Sequence, residues 1–179
     1  MLLKNPEYQG KEELIAEEII GVFLTAIEPV QCSSSNMIMN AICGKADIKK
    51  KVLHEIDSLL LPYENELMLS FTLELADQLI YPNYCYMETL RMDPPVSLSH
   101  SISYSFNVKA AGLNIRKGDS IYLNIEQLHY DPEEWQNPAE FIPERFDAKE
   151  PISKRADKSR RHTHSYMPYS FFRRSFDAR

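Results

Sequence analysis

The 179-residue sequence predicts a mainly α-helical protein that carries a small antiparallel β-meander. Two observations support this fold class. Between Lys11 and Ala26 apolar residues recur at three- and four-residue steps, which is typical of an amphipathic helix. Between Ser101 and Ile125 the period changes to two, which is typical of half-buried strands joined by short turns.

Composition and charge limit the classes of function. A chain that is 44% hydrophobic over 179 residues can bury one sizeable core, which predicts a single domain. The net charge of −6 argues against nucleic-acid binding, because domains that bind phosphates are usually basic. The cysteines are odd in number and have no C-x-x-C spacing, so neither a disulfide framework nor a zinc site is predicted; they are Cys32, Cys43 and Cys85.

Further helices are expected after the first one. Residues 48–61 place apolar side chains at helical spacing before Pro62 interrupts the pattern. Residues 67–81 fit a short helix or a loop. A third helix is predicted to open at Pro82 and Asn83 and to run to about Met92.

The strands follow that third helix. The alternating segments 102–108, 113–115 and 121–125 are predicted to be three consecutive strands, with a turn at Lys117-Gly118-Asp119 before the last one. From Asp131 the periodicity ends and the chain becomes rich in proline, glutamate and aromatic residues. The only tryptophan, Trp135, is expected to pack this irregular segment against the rest of the protein.

Two motifs carry the functional argument. Glu88 and Arg91 form an E-x-x-R pair one helical turn apart, just before Pro94 and Pro95. Such a pair alone is usually a solvent-exposed ion pair. A P-E-R-F segment containing Arg145 follows about fifty residues later, and the two motifs together resemble the cytochrome P450 family. The resemblance implies a partial P450 fold in which Glu88, Arg91 and Arg145 form a buried structural cluster of charges.

The same resemblance implies boundaries for the parts of one partial P450 domain over residues 1–179. These are an I-helix-like segment at 11–30, a K-helix-like segment at 83–92, the β-meander at 101–125, the P-E-R-F meander at 131–147 and a degenerate haem loop at 167–179. In the first segment Glu28 matches the acid of the family's proton relay, while Pro29 stands where a threonine is usual. From the residues alone, Glu28 is equally an ordinary acid near a helix end. Pro29 is expected to kink the helix.

The last segment departs from the family's haem-binding pattern. Tyr169 fits the aromatic position, and Arg174 fits the basic position that contacts a haem propionate. Phe172 replaces the glycine of the tight turn, and Phe176 replaces the cysteine that ligates the iron, so no metal ligand is predicted. His100 or Ser101 lies near a second position where members contact a propionate, although either one also fits a strand start. Val96, Ser97 and Leu98 are implied to face substrate.

The resemblance implies a haem-dependent monooxygenase that inserts one atom of dioxygen into a small apolar substrate. The electrons would originate from NADPH and arrive through a reductase or a similar donor. Because Phe176 has no lone pair, the chain itself is expected to be catalytically incompetent. The alternative is a non-catalytic, P450-derived interaction module or pseudoenzyme.

The basic residues between Lys149 and His164 leave several interpretations open. They fit a nucleic-acid patch, a metal site through His162-x-His164 or a solvated loop, and the resemblance adds docking of an acidic electron donor. Family members are often anchored in the endoplasmic reticulum membrane. This sequence shows neither a signal peptide nor the run of roughly 20 apolar residues that crosses a bilayer, so its location is not predicted.

Overall fold

A computed structural model describes residues 9–61, 72–98, 102–103, 106–110 and 112–169. The expected fold class is confirmed, because most of the regular structure is helical and the strands are few, short and antiparallel. The helices are α1 (Glu12–Met37), α2 (Ala46–Leu60), α3 (Leu73–Ala76), α4 (Ile80–Met92) and α5 (Ile125–His129). The strands are β1 (Ile102–Ser103), β2 (Val108–Ala110), β3 (Leu113–Ile115) and β4 (Ser120–Ile121).

The first helix continues beyond its expected end between residues 26 and 30. Pro29 lies inside α1, and a π-helical segment, Ile38–Gly44, follows the helix directly. A proline in a helix interior costs about 3 kcal/mol, because it removes a backbone hydrogen bond and crowds the preceding turn. Tertiary contacts offset that cost: Ser33 is buried, and the side-chain amide of Asn36 donates a hydrogen bond to Asp93 at the end of α4.

The hydrophobic core lies between α2, the π-helical segment and α4. Ile48 and Val52 of α2 are buried and belong to one cluster with Ala41, Cys85 and Phe141. α4 begins two residues earlier than Pro82, because Glu55 of α2 accepts hydrogen bonds from the backbone amides of its first two residues, at 2.5 and 2.9 Å. These contacts fix α4 firmly against α2.

The strands pair antiparallel, but not in consecutive order. β1 pairs with β4 through Ile102 and Ile121, whereas β2 pairs with β3 in a hairpin whose turn contains Gly112 at φ 78°. The first predicted strand therefore contributes β1 and β2 to two separate two-stranded sheets. The third predicted strand, 121–125, does not reach Ile125. Asn124 caps α5 there by accepting a hydrogen bond from the amide of Gln127 at 2.9 Å.

From Asp131 onward the chain forms turns and two short 3₁₀ helices, Pro143–Phe146 and Pro151–Ser153. Trp135 is fully buried and packs against the rings of Phe146 and Tyr166, with centroids 6.2 and 6.3 Å away. The basic segment is not wholly a solvated loop. The guanidinium carbon of Arg161 lies 4.2 Å from the centroid of Trp135, which anchors that part of the segment to the aromatic cluster.

Candidate functional site

The centre of the candidate site is a carboxylate without solvent exposure. Glu88 lies on α4, and Arg91 follows it by three residues, which places both side chains on one face of the helix. Nε of Arg91 donates to Oε2 of Glu88 at 2.8 Å, and Nη2 donates to Oε1 at 2.9 Å. Both side chains are 0% exposed, so this bidentate pair is wholly removed from water.

Arg145 approaches the same carboxylate from the 3₁₀ helix of the P-E-R-F segment. Its Nε donates to Oε1 of Glu88 at 3.0 Å, although the two residues are 57 positions apart. The backbone amide of Ile142 donates to that oxygen as well, at 3.0 Å. The remaining guanidinium nitrogens of Arg145 donate to backbone carbonyls, which include that of Asn137 at 2.5 Å. The structure thus brings Glu88, Arg91 and Arg145 together and joins α4 to the irregular segment.

The charges at this cluster do not balance. Arg161 is partly buried close by and donates to the carbonyl of Arg145 at 2.8 Å. Burial and, to a smaller extent, the neighbouring charge of Arg145 together lower the pKa of Arg161 to about 10. Burial also lowers the pKa of Arg145, which the carboxylate of Glu88 partly counteracts. Two guanidinium groups therefore share the carboxylate of Glu88, and a third lies close by. Backbone carbonyls accept hydrogen bonds from the remaining nitrogens of Arg145 and from Arg161.

His129 is a further residue of the site that the sequence did not single out. Its Nδ1 lies 3.0 Å from the carbonyl oxygen of Arg91, and its Nε2 accepts a hydrogen bond from the amide of Met167 at 2.8 Å. A carbonyl can only accept and an amide can only donate, so these two partners require the neutral tautomer with hydrogen on Nδ1. Burial lowers the pKa of His129 to about 4, which maintains this neutral form. A lone histidine before Y-D-P gave no signal of such a role.

The chain leading into the predicted haem loop is held by these and other contacts. The hydroxyl of Tyr166 donates to the carbonyl of Met87 at 3.1 Å, and its ring stacks on His129 with centroids 5.5 Å apart. The hydroxyl of Tyr169 lies 3.1 Å from that of Tyr86 on α4. Residues 166–169 are therefore held by contacts with α4 and α5.

A cavity of about 390 Å³ lies between α1 and the residues after α4. Its lining includes Pro29, Cys32 and Ser33 from α1 and Asp93, Pro94 and Pro95 from the end of α4.

Of the residues expected to face substrate, Ser97 accepts a hydrogen bond from the amide of Ile125 at 2.9 Å, and Leu98 pairs with Asn124. These contacts join the segment after α4 to the start of α5.

Several predicted site residues lie outside the part of the chain that the structure describes. These are His100, Ser101, Phe172, Arg174 and Phe176. Glu28 lies within α1, but its side chain is also outside the description. The rings of His162 and His164 are 5.4 Å apart, and within the described ranges no group of three or more potential metal-ligating side chains occurs. In the same ranges no helix has the length and apolar character needed to cross a membrane.

Comparison with known proteins places this geometry in a family. The model of the family Cytochrome P450 matches residues 2–175, so the chain belongs to the cytochrome P450 family. It is 30% identical over 173 residues to Cytochrome P450 4A10 of Mus musculus, which covers 94% of this chain and 30% of that protein. It is 30% identical over 152 residues to Taurochenodeoxycholic 6 alpha-hydroxylase of Sus scrofa, which covers 84% of this chain and 27% of the relative. The chain thus spans about 30% of the length of such curated relatives.

Haem is the cofactor that membership of the family implies, and it requires a thiolate for P450 chemistry. The described cysteines do not supply one at the predicted loop. Cys85 is fully buried in the core, where burial raises the pKa of its thiol to about 12. Cys32 and Cys43 are exposed on α1 and the π-helical segment. The assignment of the ligand position to Phe176 stays a prediction from the sequence, because residues 170–179 lie outside the part of the chain that the structure describes.

Proposed function

We propose that residues 1–179 are one partial P450 domain that keeps the family's scaffold beneath the haem but not its oxygen-activating chemistry. Within it, 11–30 corresponds to the I helix, 83–92 to the K helix, 101–125 to the β-meander, 131–147 to the P-E-R-F meander and 167–179 to a degenerate haem loop. The observation that carries this proposal is the buried cluster, in which Arg91 and Arg145 share the carboxylate of Glu88.

The roles of the individual residues follow from that assignment. Glu88, Arg91 and Arg145 are structural, because all their polar atoms are occupied by one another and by backbone groups rather than directed into a cavity. Glu28 is assigned to the former proton relay, and Arg174 and His100 to former propionate contacts. In a protein that carried a functional haem loop, the substrate would be small and apolar, and electrons would come from NADPH through a reductase.

A second function is favoured by a separate observation. The helix that corresponds to the I helix exposes a row of large apolar side chains, which include Ile20 at 58% and Phe23 at 59%. Exposed apolar surface of this extent is typical of interaction sites. We therefore propose a non-catalytic interaction module as the alternative, with the buried cluster serving only to stabilise it.

Haem titration tests the first proposal, because Trp135 is the only tryptophan and its quenching reports haem binding near the scaffold. We expect the wild type to show weak, unsaturated quenching. The double variant Phe172→Gly, Phe176→Cys restores the local motif, and we expect it to bind haem at least about 10-fold more tightly because a thiolate becomes available. Phe171→Cys, which adds a thiol at a neighbouring position, is the matched control. Saturable one-to-one binding by the wild type would contradict the proposal.

A further inference from the structure

The imidazole ring of His129 joins the end of α4 to the segment that leads into the predicted haem loop. Its Nδ1 lies 3.0 Å from the carbonyl oxygen of Arg91, and its Nε2 accepts a hydrogen bond from the amide of Met167 at 2.8 Å. The ring is fully buried, stacked on Tyr166 and edge-on to Trp135, with centroids 5.5 and 6.5 Å away. One side chain therefore connects two backbone positions that each lie 38 residues from it in sequence.

The two hydrogen bonds of the ring respond differently to a proton. Nδ1 carries hydrogen in the neutral tautomer and in the imidazolium, so it can donate to the carbonyl of Arg91 in both forms. Nε2 accepts the amide of Met167 only while its lone pair is free. A proton on Nε2 would place two N–H groups opposite each other. Protonation therefore breaks the bond to Met167 and preserves the bond to Arg91.

The charges around the ring also oppose a second hydrogen on it. Nη1 of Arg91 donates to the carbonyl of His129 at 2.9 Å, while the carboxylate of Glu88 is shared by Arg91 and Arg145. Burial lowers the pKa of His129 to about 4; the hydrogen bond to the carbonyl of Arg91 opposes this effect, and the charge of Arg91 adds to it. The other titratable groups nearby are Glu126 on α5, Tyr130 after it, Arg161 on the face of Trp135, and Tyr166.

The segment 165–169 is held by few contacts outside itself. The structure describes it as turns and bends without a helix or strand. The hydroxyl of Tyr166 donates to the carbonyl of Met87, and the hydroxyls of Tyr169 and Tyr86 are 3.1 Å apart, which are its contacts with α4. Its contacts with α5 are the amide bond and the stacked ring, and both are made by His129. A segment held in this way can open locally while the core stays folded.

We propose that His129 is a proton-operated latch, which holds the segment 165–169 against α5 when the ring is neutral and releases it when Nε2 binds a proton. Release exposes Nε2 to water, which replaces the lost partner of the ring. The latch goes beyond the assigned P450 chemistry and requires no haem, since its parts are the ring, one carbonyl and one amide. It makes the position of the chain before the predicted haem loop dependent on pH.

The pH range of the latch follows from linkage. The released ring is in water, where the pKa of histidine is 6.5, whereas the pKa of the latched ring is about 4. The released form therefore binds the proton more readily. The ratio of released to latched molecules should be constant above pH 6.5 and should rise about 10-fold for each unit by which the pH falls from 6.5 to 4. Between pH 7.5 and 5 the expected rise is about 30-fold.

Hydrogen exchange of the Met167 amide in the full chain, followed by NMR, tests the latch. The protection factor, which is corrected for the intrinsic exchange rate, measures the ratio of latched to released molecules. We expect it to fall about 30-fold between pH 7.5 and 5. Low concentrations of urea should not change it, because a local opening exposes little surface. The amide of Ile142, which donates to Glu88, should instead lose protection with urea, since it is released by global unfolding.

Two histidine variants assign the effect to the ring. Glutamine offers one acceptor oxygen and an amide donor, so His129→Gln can contact both partners but binds no proton in this range. We expect its Met167 protection factor to change less than about 3-fold between pH 7.5 and 5. His162→Gln is the matched control, because it removes an exposed histidine from the same part of the chain and should keep the full 30-fold change. If His129→Gln does not fold, the nitrogen chemical shifts of the wild-type ring should show hydrogen on Nδ1 alone at pH 7.5.

Each of four results would overturn the latch. The first is a wild-type Met167 protection factor that does not depend on pH. The second is a 30-fold change that persists in His129→Gln or disappears in His162→Gln, because another group would then bind the proton. The third is an equal dependence on urea for Met167 and Ile142, which would mean that the segment is released only by global unfolding. The fourth is hydrogen on Nε2 of His129 at pH 7.5.

Discussion

Replacing Glu88 with glutamine removes the charge at the centre of the buried cluster while preserving the shape of the side chain. Four hydrogen bonds converge on this carboxylate, two from Arg91 and one each from Arg145 and the amide of Ile142. The amide group of glutamine cannot accept all of them, and both guanidinium groups would remain buried without a counter-charge. Removing one partner of such a buried pair costs about 3–5 kcal/mol. That is a large share of the roughly 5–15 kcal/mol by which a whole domain is stable.

Urea unfolding followed by Trp135 fluorescence measures this cost, because the tryptophan is fully buried beside the cluster. Lys51→Gln is the matched control. It removes an ion pair with Glu144 whose side chains are 56% and 30% exposed, and it should cost less than about 1 kcal/mol. The assignment of Glu88 to a stabilising core would be refuted if Glu88→Gln lowered the free energy of unfolding no more than Lys51→Gln does.

Three further predictions concern residues outside the carboxylate. The pKa of His129 is 6.5 in the unfolded chain and about 4 in the folded protein, so the free energy of unfolding should decrease by about 1.4 kcal/mol for each unit by which the pH falls from 6.5 to 4. Urea titrations at several pH values measure this slope, and His129→Gln should remove the contribution of His129 to it. Pro29→Ala restores a helical amide in α1 and should increase the free energy of unfolding by up to about 3 kcal/mol, which a higher midpoint of thermal unfolding would report. A lower midpoint would mean that the structure around Pro29 requires the proline. A thiol reagent should modify two cysteines rapidly in the native protein and a third only in denaturant, because Cys85 is buried with its thiol pKa raised to about 12; rapid modification of all three would contradict the described core.

The E-x-x-R and P-E-R-F motifs allowed the sequence to predict family and fold class because each motif contributes a residue type that few structural contexts require. The planar guanidinium group of an arginine can donate two hydrogen bonds to a buried carboxylate, and two arginines can donate to the same carboxylate from opposite sides. The change from helical period to a period of two likewise located the sheet. These signals are local, so a linear reading detects them.

The errors and omissions arose where a distant contact decides the outcome. The apolar pattern of the first helix ended at Ala26. The contact that holds α1 beyond this point joins Asn36 to Asp93, which is 57 residues away in sequence. Ile125 continued an alternating pattern, yet the cap by Asn124 starts a helix there. His129 depends on the carbonyl of Arg91 and the amide of Met167, two backbone groups that no side-chain pattern identifies.

We propose that this chain keeps the scaffold of a P450 but does not form its thiolate-ligated haem. The Soret band of the reduced, carbon monoxide-treated complex tests it most directly, since the position of that band reports whether a thiolate lies opposite the carbon monoxide. After addition of haem to the purified wild-type chain, we predict only the spectrum of haem without a thiolate ligand, because the sequence assigns Phe176 to the ligand position. A thiolate-type carbonyl spectrum from the wild type would contradict the account.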